Sequence, residues 1–220
     1  MTFSELLFLV RSDLYRRAGT VSARAFLRHY FIEPGFKYGF WLRVRQFVAS
    51  RPLLRILFLP VMKLVMLQLG FRYGIMIAGV ARIGPGFYIC HFGGIWISNE
   101  AVIGRNVNIS QDVTIGVTCR GKRQGAPVIG DNVYIGPGAK VIGRIRVGNN
   151  VAIGANSLVC RDVPDNAVVA GVPARIISMH GAAGYVNNTD YDVVLAPAKP
   201  DIVPQPVELM EKEGSAEAGR

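Results

Sequence analysis

Histidine and cysteine are scarce in this 220-residue chain, three of each, and no uninterrupted apolar run reaches the ~18 residues that span a bilayer. Cys90, Cys119 and Cys160 are too few and too dispersed for a disulfide framework or a zinc cluster. No metal is expected, and reduced thiols suit a cytoplasmic protein. The longest apolar candidate, Pro52 to Gly70, is broken by Arg55, Pro60 and Lys63, and charges are costly at a bilayer centre. Leu6 to Val10 is too short for the apolar part of a signal peptide, with Arg11 directly behind it. Acidic residues are few as well, 15 against 25 Lys and Arg. With 50% of the chain hydrophobic, disorder of the whole is excluded and a core of ordinary domain size is available.

The charge is unevenly spread. Residues 1–75 hold 12 Lys/Arg against 3 Asp/Glu, residues 76–181 hold 10 against 5, and residues 182–220 hold 3 against 7, giving +9, +5 and −4. A basic, apolar front end without a nucleic-acid motif suits an anionic membrane surface, so peripheral membrane contact is expected and nucleic-acid binding is not. Apolar residues at three and four spacing predict helices in Leu6–Leu14, Phe40–Val48 and Leu53–Leu69. The acidic tail from residue 182, with four prolines from Pro197 to Pro206, reads as disordered.

Between these regions the sequence repeats. Ile129, Ile135, Val141, Val147, Ile153 and Val159 recur every six residues. If a quarter of positions were Ile, Leu or Val, six such hits in one register would arise by chance about twice in ten thousand trials. An upstream block runs Ile77, Ile83, Ile89, Ile95, slips by two, and resumes at Ile103, Ile109 and Ile115. Each hexapeptide is read as one short strand and a turn, three to a coil, so residues 76–181 are predicted to form a parallel β-helix of about five coils. The fold class is mainly β, with a helical region over 1–75 and a disordered tail over 182–220. The polar, basic stretch between Ile115 and Ile129 is expected to project as a loop, either tolerated on a solenoid face or acting as a lid.

A solenoid needs no catalytic residue, so chemistry is sought at the histidines. His29 and His180 read as structural. His91 interrupts the hexapeptide Ile89-Cys90-His91-Phe92-Gly93-Gly94, where two glycines leave room for a ligand beside a side chain able to take a proton from a hydroxyl.

The repeats, the Ile115–Ile129 loop, the closing Ala170-Gly171-Val172-Pro173-Ala174-Arg175-Ile176, and the front-end Arg11-Ser12-Asp13-Leu14 and Pro34-Gly35-Phe36 together resemble the hexapeptide acyltransferases. The resemblance is to bacterial serine acetyltransferases and their exopolysaccharide-acetylating relatives. It implies a left-handed β-helix, a homotrimer with sites between subunits, acetyl-CoA as donor, and His91 as the catalytic base. It also places the pantetheine arm near Gly116 and Ala155, with Pro137 at a family alanine position. Lys140 and Arg175 are candidates for the coenzyme's phosphates. On the acceptor side the sequence departs from the serine enzymes. Met76 stands where an aspartate orients the histidine, Cys90 replaces the aspartate before it, Gly125-Ala126 replace an Arg-His pair, and no aspartate appears around Gly19-Thr20-Val21. Zwitterionic serine needs charged partners, so these departures favour a sugar hydroxyl in surface-polysaccharide assembly of the colanic-acid type. Tyr88, Phe92 and Trp96 are then stacking candidates and Asp112 a candidate partner for His91. Serine O-acetylation is the alternative, and an inactive β-helix scaffold the non-enzyme one.

Overall fold

A computed structural model describes residues 1–195. The part of the expected disordered tail from residue 196 onward lies outside the described residues. Four helices come first: α1 (Phe3–Ala18), α2 (Ala23–Ile32), α3 (Pro34–Ala49) and α4 (Pro52–Tyr73). Thr2 and Glu5 form a capping box on α1, and Ser22 caps α2. Pro34 and Pro52 begin α3 and α4, positions where a missing N–H costs nothing.

From Ile75 the chain winds into parallel strands of two or three residues. Three sheets form the sides of the prism. The first holds Ile75–Ile77, Ile95–Ile97, Thr114–Gly116, Lys140–Ile142 and Leu158–Val159. The second holds Arg82–Ile83, Val102–Ile103, Val128–Ile129 and Arg146–Val147. The third runs from Tyr88–Ile89 to Val168–Gly171 and ends on the antiparallel Ala174–Ser178. The repeating aliphatics stack inward as one core, with Ile103, Ile109, Ile115, Ile135 and Ile153 fully buried. At the turns Asn106, Asn132, Asn150 and Asn166 take positive φ, a conformation asparagine tolerates better than most.

The strand pairing relocates the two-residue slip. Ile77 pairs with Ile97, not Ile95, and Ile97 pairs with Ile115. The two extra residues therefore lie between Ile89 and Ile97, in the corner that carries His91. Ile95 fills the inward position at the end of that corner, and its six-residue spacing from Ile89 is coincidental. The Val117–Pro127 insertion leaves the corner between the first and second sheets as a small hairpin. Thr118 and Gly125 exchange backbone hydrogen bonds of 3.0 and 2.9 Å, and Arg123 reaches Asp162 of a later coil at 3.3 Å.

The helices are pinned to the first coil by a buried ion pair. Arg43 Nε donates to Asp13 Oδ2 at 3.0 Å, and its terminal nitrogens donate to the Ile83 and Gly84 carbonyls, each at 2.7 Å. Asp13 Oδ1 also accepts from the Phe87 N–H at 2.8 Å, and Ser12 Oγ from the Gly86 N–H at 3.1 Å.

Disorder from residue 182 is corrected over 182–195. This segment forms a strap that climbs from the last coil back to the first. The Gly181 N–H donates to the Asn166 carbonyl, Tyr185 stacks on Tyr134 at 4.4 Å, and Asn108 donates to the Tyr185 carbonyl. Tyr191 is fully buried, edge-on to Phe8, with its hydroxyl on the Pro85 carbonyl, and Asp192 pairs with Arg105. The acidic composition that suggested disorder provides that anionic partner.

Candidate active site

Position along the coils follows from the third sheet, where Ile89, Ile109, Ile135 and Ile153 pair in sequence. Two residues beyond each lie His91, Gln111, Pro137 and Ala155, so these four stack down one corner of the prism. His91 is exposed at the top of this column, and no hydrogen bond among the described residues fixes its ring. The corner is open, since a Cβ on Gly93 would meet nothing within 4 Å. Gly94 is at φ 64°, and a Cβ there would fall 1.9 Å from Asp112 Oδ1. Glycine is required by that approach.

Asp112 therefore packs its carboxylate beneath Gly94 and makes no hydrogen bond to His91. Asp131 below Gly104 and Asp165 below Gly148 repeat the arrangement at other turns, which makes it a feature of coil stacking. Gln111, absent from the candidates read from sequence, occupies the equivalent position one coil from His91. Its Oε1 is buried with no hydrogen-bond partner among the described residues. The two extra residues between Ile89 and Ile97 hide this alignment, because they set Gln111 twenty residues after His91 instead of the regular eighteen.

The three aromatics do not form one platform. Tyr88 is covered by the Arg17 guanidinium at 4.3 Å from its ring centre. Phe92 packs edge-on to Tyr73 at the end of α4. Trp96 alone of the three lies on the outer face of the first sheet, in a row with Met76, Thr114 and Lys140. Lys140 Nζ donates to the Asp112 carbonyl. Gly116, in the same sheet, is buried against Ile142, whereas Ala155 is exposed on the His91 column. The Pro137 carbonyl accepts from the Asn156 N–H at 2.8 Å. Arg175 pairs with Ala170 at the end of the third sheet and lines a shallow pocket on the last coil with Cys160, Arg161 and Asp162. The pocket adds Arg161 as a second cation suited to phosphate.

The helices contribute charge that sequence spacing did not reveal. Arg17 donates to the Ile89 carbonyl at 2.7 Å, two residues before His91, and pairs with Glu33. Arg17 Nε is buried and unpartnered among the described residues. Glu33 also lies 2.6 Å from His29 Nδ1. Gly35 permits this docking, because a Cβ there would fall 2.6 Å from the Ile89 carbonyl oxygen. Burial pushes the Cys90 thiol up, opposed by the charges of Arg17 and Arg16, so the thiol is held neutral and is a poor nucleophile. Among the described residues no group of three or more His, Cys, Asp or Glu is placed to hold a metal.

The family description "Bacterial transferase hexapeptide (six repeats)" matches residues 126–161. A serine acetyltransferase of Synechococcus elongatus is 43% identical over 108 residues, 49% of this chain and 44% of that protein. The chain spans about half the length of the curated relatives it matches. A solved serine acetyltransferase of Brucella abortus superposes with TM-score 0.69 at 31% identity, covering 82% of this chain and 72% of that one. The same enzyme solved with coenzyme A gives 0.69 at 30% identity, covering 81% and 70%. These relatives overturn the sugar-hydroxyl reading in surface-polysaccharide assembly. Of its three stacking candidates Tyr88 is covered by the Arg17 guanidinium, and Arg17 and Glu33 bring charge from the helices to Ile89. With this shared β-helix, helical front end and sequence identity, the chain belongs to the serine acetyltransferase family of hexapeptide-repeat acyltransferases.

Proposed function

We propose that the chain is an acetyl-CoA-dependent O-acetyltransferase acting on the hydroxyl of serine, with His91 as general base. The likeness over four-fifths of the chain to a serine acetyltransferase solved with coenzyme A carries this reading. His91 takes the proton of the acceptor hydroxyl as its oxygen attacks the thioester carbonyl. The acetyl group passes to that oxygen and the proton leaves on the coenzyme's thiol. Backbone N–H groups of the corner are suited to the developing oxyanion. Arg175 and Arg161, which line one pocket, are the candidates for the coenzyme's phosphates, and the exposed Ala155 and Trp96 those for its arm and the acceptor.

Serine requires a cation for its carboxylate and an anion for its ammonium. Arg17 and Glu33, paired with each other beside Ile89, are the candidates for one of each in place of the charges missing at Met76, Cys90 and Gly125-Ala126. A homotrimer fits the open, unpartnered His91 corner, which gains a second wall from a neighbouring subunit. The loop of the same chain leaves from a different corner.

Thiol release from acetyl-CoA with serine as acceptor is the test. Loss of about 10²–10⁴-fold in turnover in a folded His91→Ala variant, with a raised KM for serine in Arg17→Gln, is the expected result. Acetyl-CoA turnover that serine does not stimulate refutes the acceptor, and undiminished turnover in His91→Ala refutes the base.

A further inference from the structure

α4 is buried on one side only. Met66 and Gly70 are buried, and the helix packs on α3 and on Ile75–Ile77. A Cβ on Gly70 would fall 3.1 Å from the Ile75 carbonyl oxygen. The opposite side is apolar and uncovered. Leu53, Ile56, Leu57, Leu64, Leu67 and Phe71 follow one another at helical spacing and are 46–78% exposed, a continuous stripe far beyond scattered surface leucines. At about 1.5 Å per residue the helix is roughly 33 Å long.

Charge identifies what covers the stripe. No acidic residue occurs between Glu33 and Glu100, whereas Arg51, Arg55, Lys63, Arg72 and Arg82 are all exposed in that interval. Two copies meeting through this face would bring like charges together. An anionic lipid surface meets both features at once, with headgroups against the cations and acyl chains against the stripe. The inner face of α4 is committed to α3 and the first strand of the β-helix, and Arg55 and Lys63 lie within the helix. By length and composition α4 could cross a membrane, but this packing fits a helix lying in the interface plane.

We propose that α4 docks the protein on an anionic bilayer surface, with the Leu53–Phe71 stripe inserted at the headgroup boundary and the flanking cations on the lipid charges. The docking does not depend on which acceptor the site uses.

Co-sedimentation of the full chain with mixed phosphatidylcholine/phosphatidylglycerol vesicles, against pure phosphatidylcholine vesicles, tests it. Binding is expected to the mixed vesicles and to weaken with salt. The Arg55→Gln/Lys63→Gln variant is expected to partition about 30-fold more weakly. Leu57→Glu/Leu64→Glu is expected to lose vesicle binding while its melting temperature and its acetyl-CoA turnover in solution stay at the wild-type level. Failure to bind the mixed vesicles overturns the proposal, as does equal binding to both vesicle types. Self-association that rises with protein concentration and disappears in Leu57→Glu/Leu64→Glu, without vesicle binding, assigns the stripe to a second copy instead.

Discussion

Replacing Arg43 by Met removes the cation that holds Asp13 while retaining much of its apolar volume. Three hydrogen-bonding groups are affected together. The Asp13 carboxylate keeps the Phe87 N–H at 2.8 Å, but the Ile83 and Gly84 carbonyls lose donors at 2.7 Å. Removing one partner of a buried ion pair costs about 3–5 kcal/mol, a large share of the ~5–15 kcal/mol that holds a domain folded. Burial raises the Asp13 carboxyl, and Arg43 is the largest influence opposing it, so in the variant the carboxyl rises further. A carboxyl raised in the folded state favours folding when protonated and disfavours it as pH climbs through the raised value. The deficit is therefore expected to be largest at neutral pH and to shrink as pH falls toward the ordinary value of 3.8. Urea unfolding followed by far-ultraviolet circular dichroism at several pH values measures it. Asp13→Asn/Arg43→Met, which removes the buried charge as well, is expected to recover about half the loss at neutral pH. A single-variant loss below about 1 kcal/mol, or a double variant no better than the single, would refute the reasoning. Because α1 and α3 bring Arg17 and Gly35 to Ile89, acetyl transfer is expected to fall with the stability.

Two further outcomes follow from named contacts. If Gln111 positions His91, Gln111→Leu lowers kcat about 10- to 100-fold with KM for acetyl-CoA unchanged, and Gln111→Glu restores much of the rate; steady-state kinetics with no change in kcat places Gln111 outside the site. Tyr191 is pushed up from 10.0 to about 12 by burial, so its neutral form is favoured in the fold, and its stabilisation is complete below pH 10 and lost as pH rises through 12. Wild type is expected to lose about 3 kcal/mol more than Tyr191→Phe over that range, read from urea midpoints, and parallel curves would remove the strap's phenol as the cause.

Much of the β-helix was legible because its periodicity is local. An aliphatic every six residues at Ile129 to Val159 leaves one economical way to bury the set, and the strands form there. The helical front end was legible for the same reason, through its three and four spacing. His91 stood out because a histidine and two glycines replace aliphatic and turn residues. The acceptor side was misread from charges missing near His91 in sequence, whereas the fold brings Arg17 and Glu33, over fifty residues away, to Ile89.

The amino-acid sequence by itself determined the repeat, the helical front end and the candidate base, since each depends on spacing within a few tens of residues. Only the tertiary structure decided which residues share a corner. Ile77 pairing with Ile97 moved the slip to the His91 turn, and those two extra residues concealed that Gln111 lies one coil from His91. It also decided that Tyr191 is core and that the α4 stripe is surface. Apolar residues satisfy the same periodicity on either side of a helix, and burial is settled by what packs against each side.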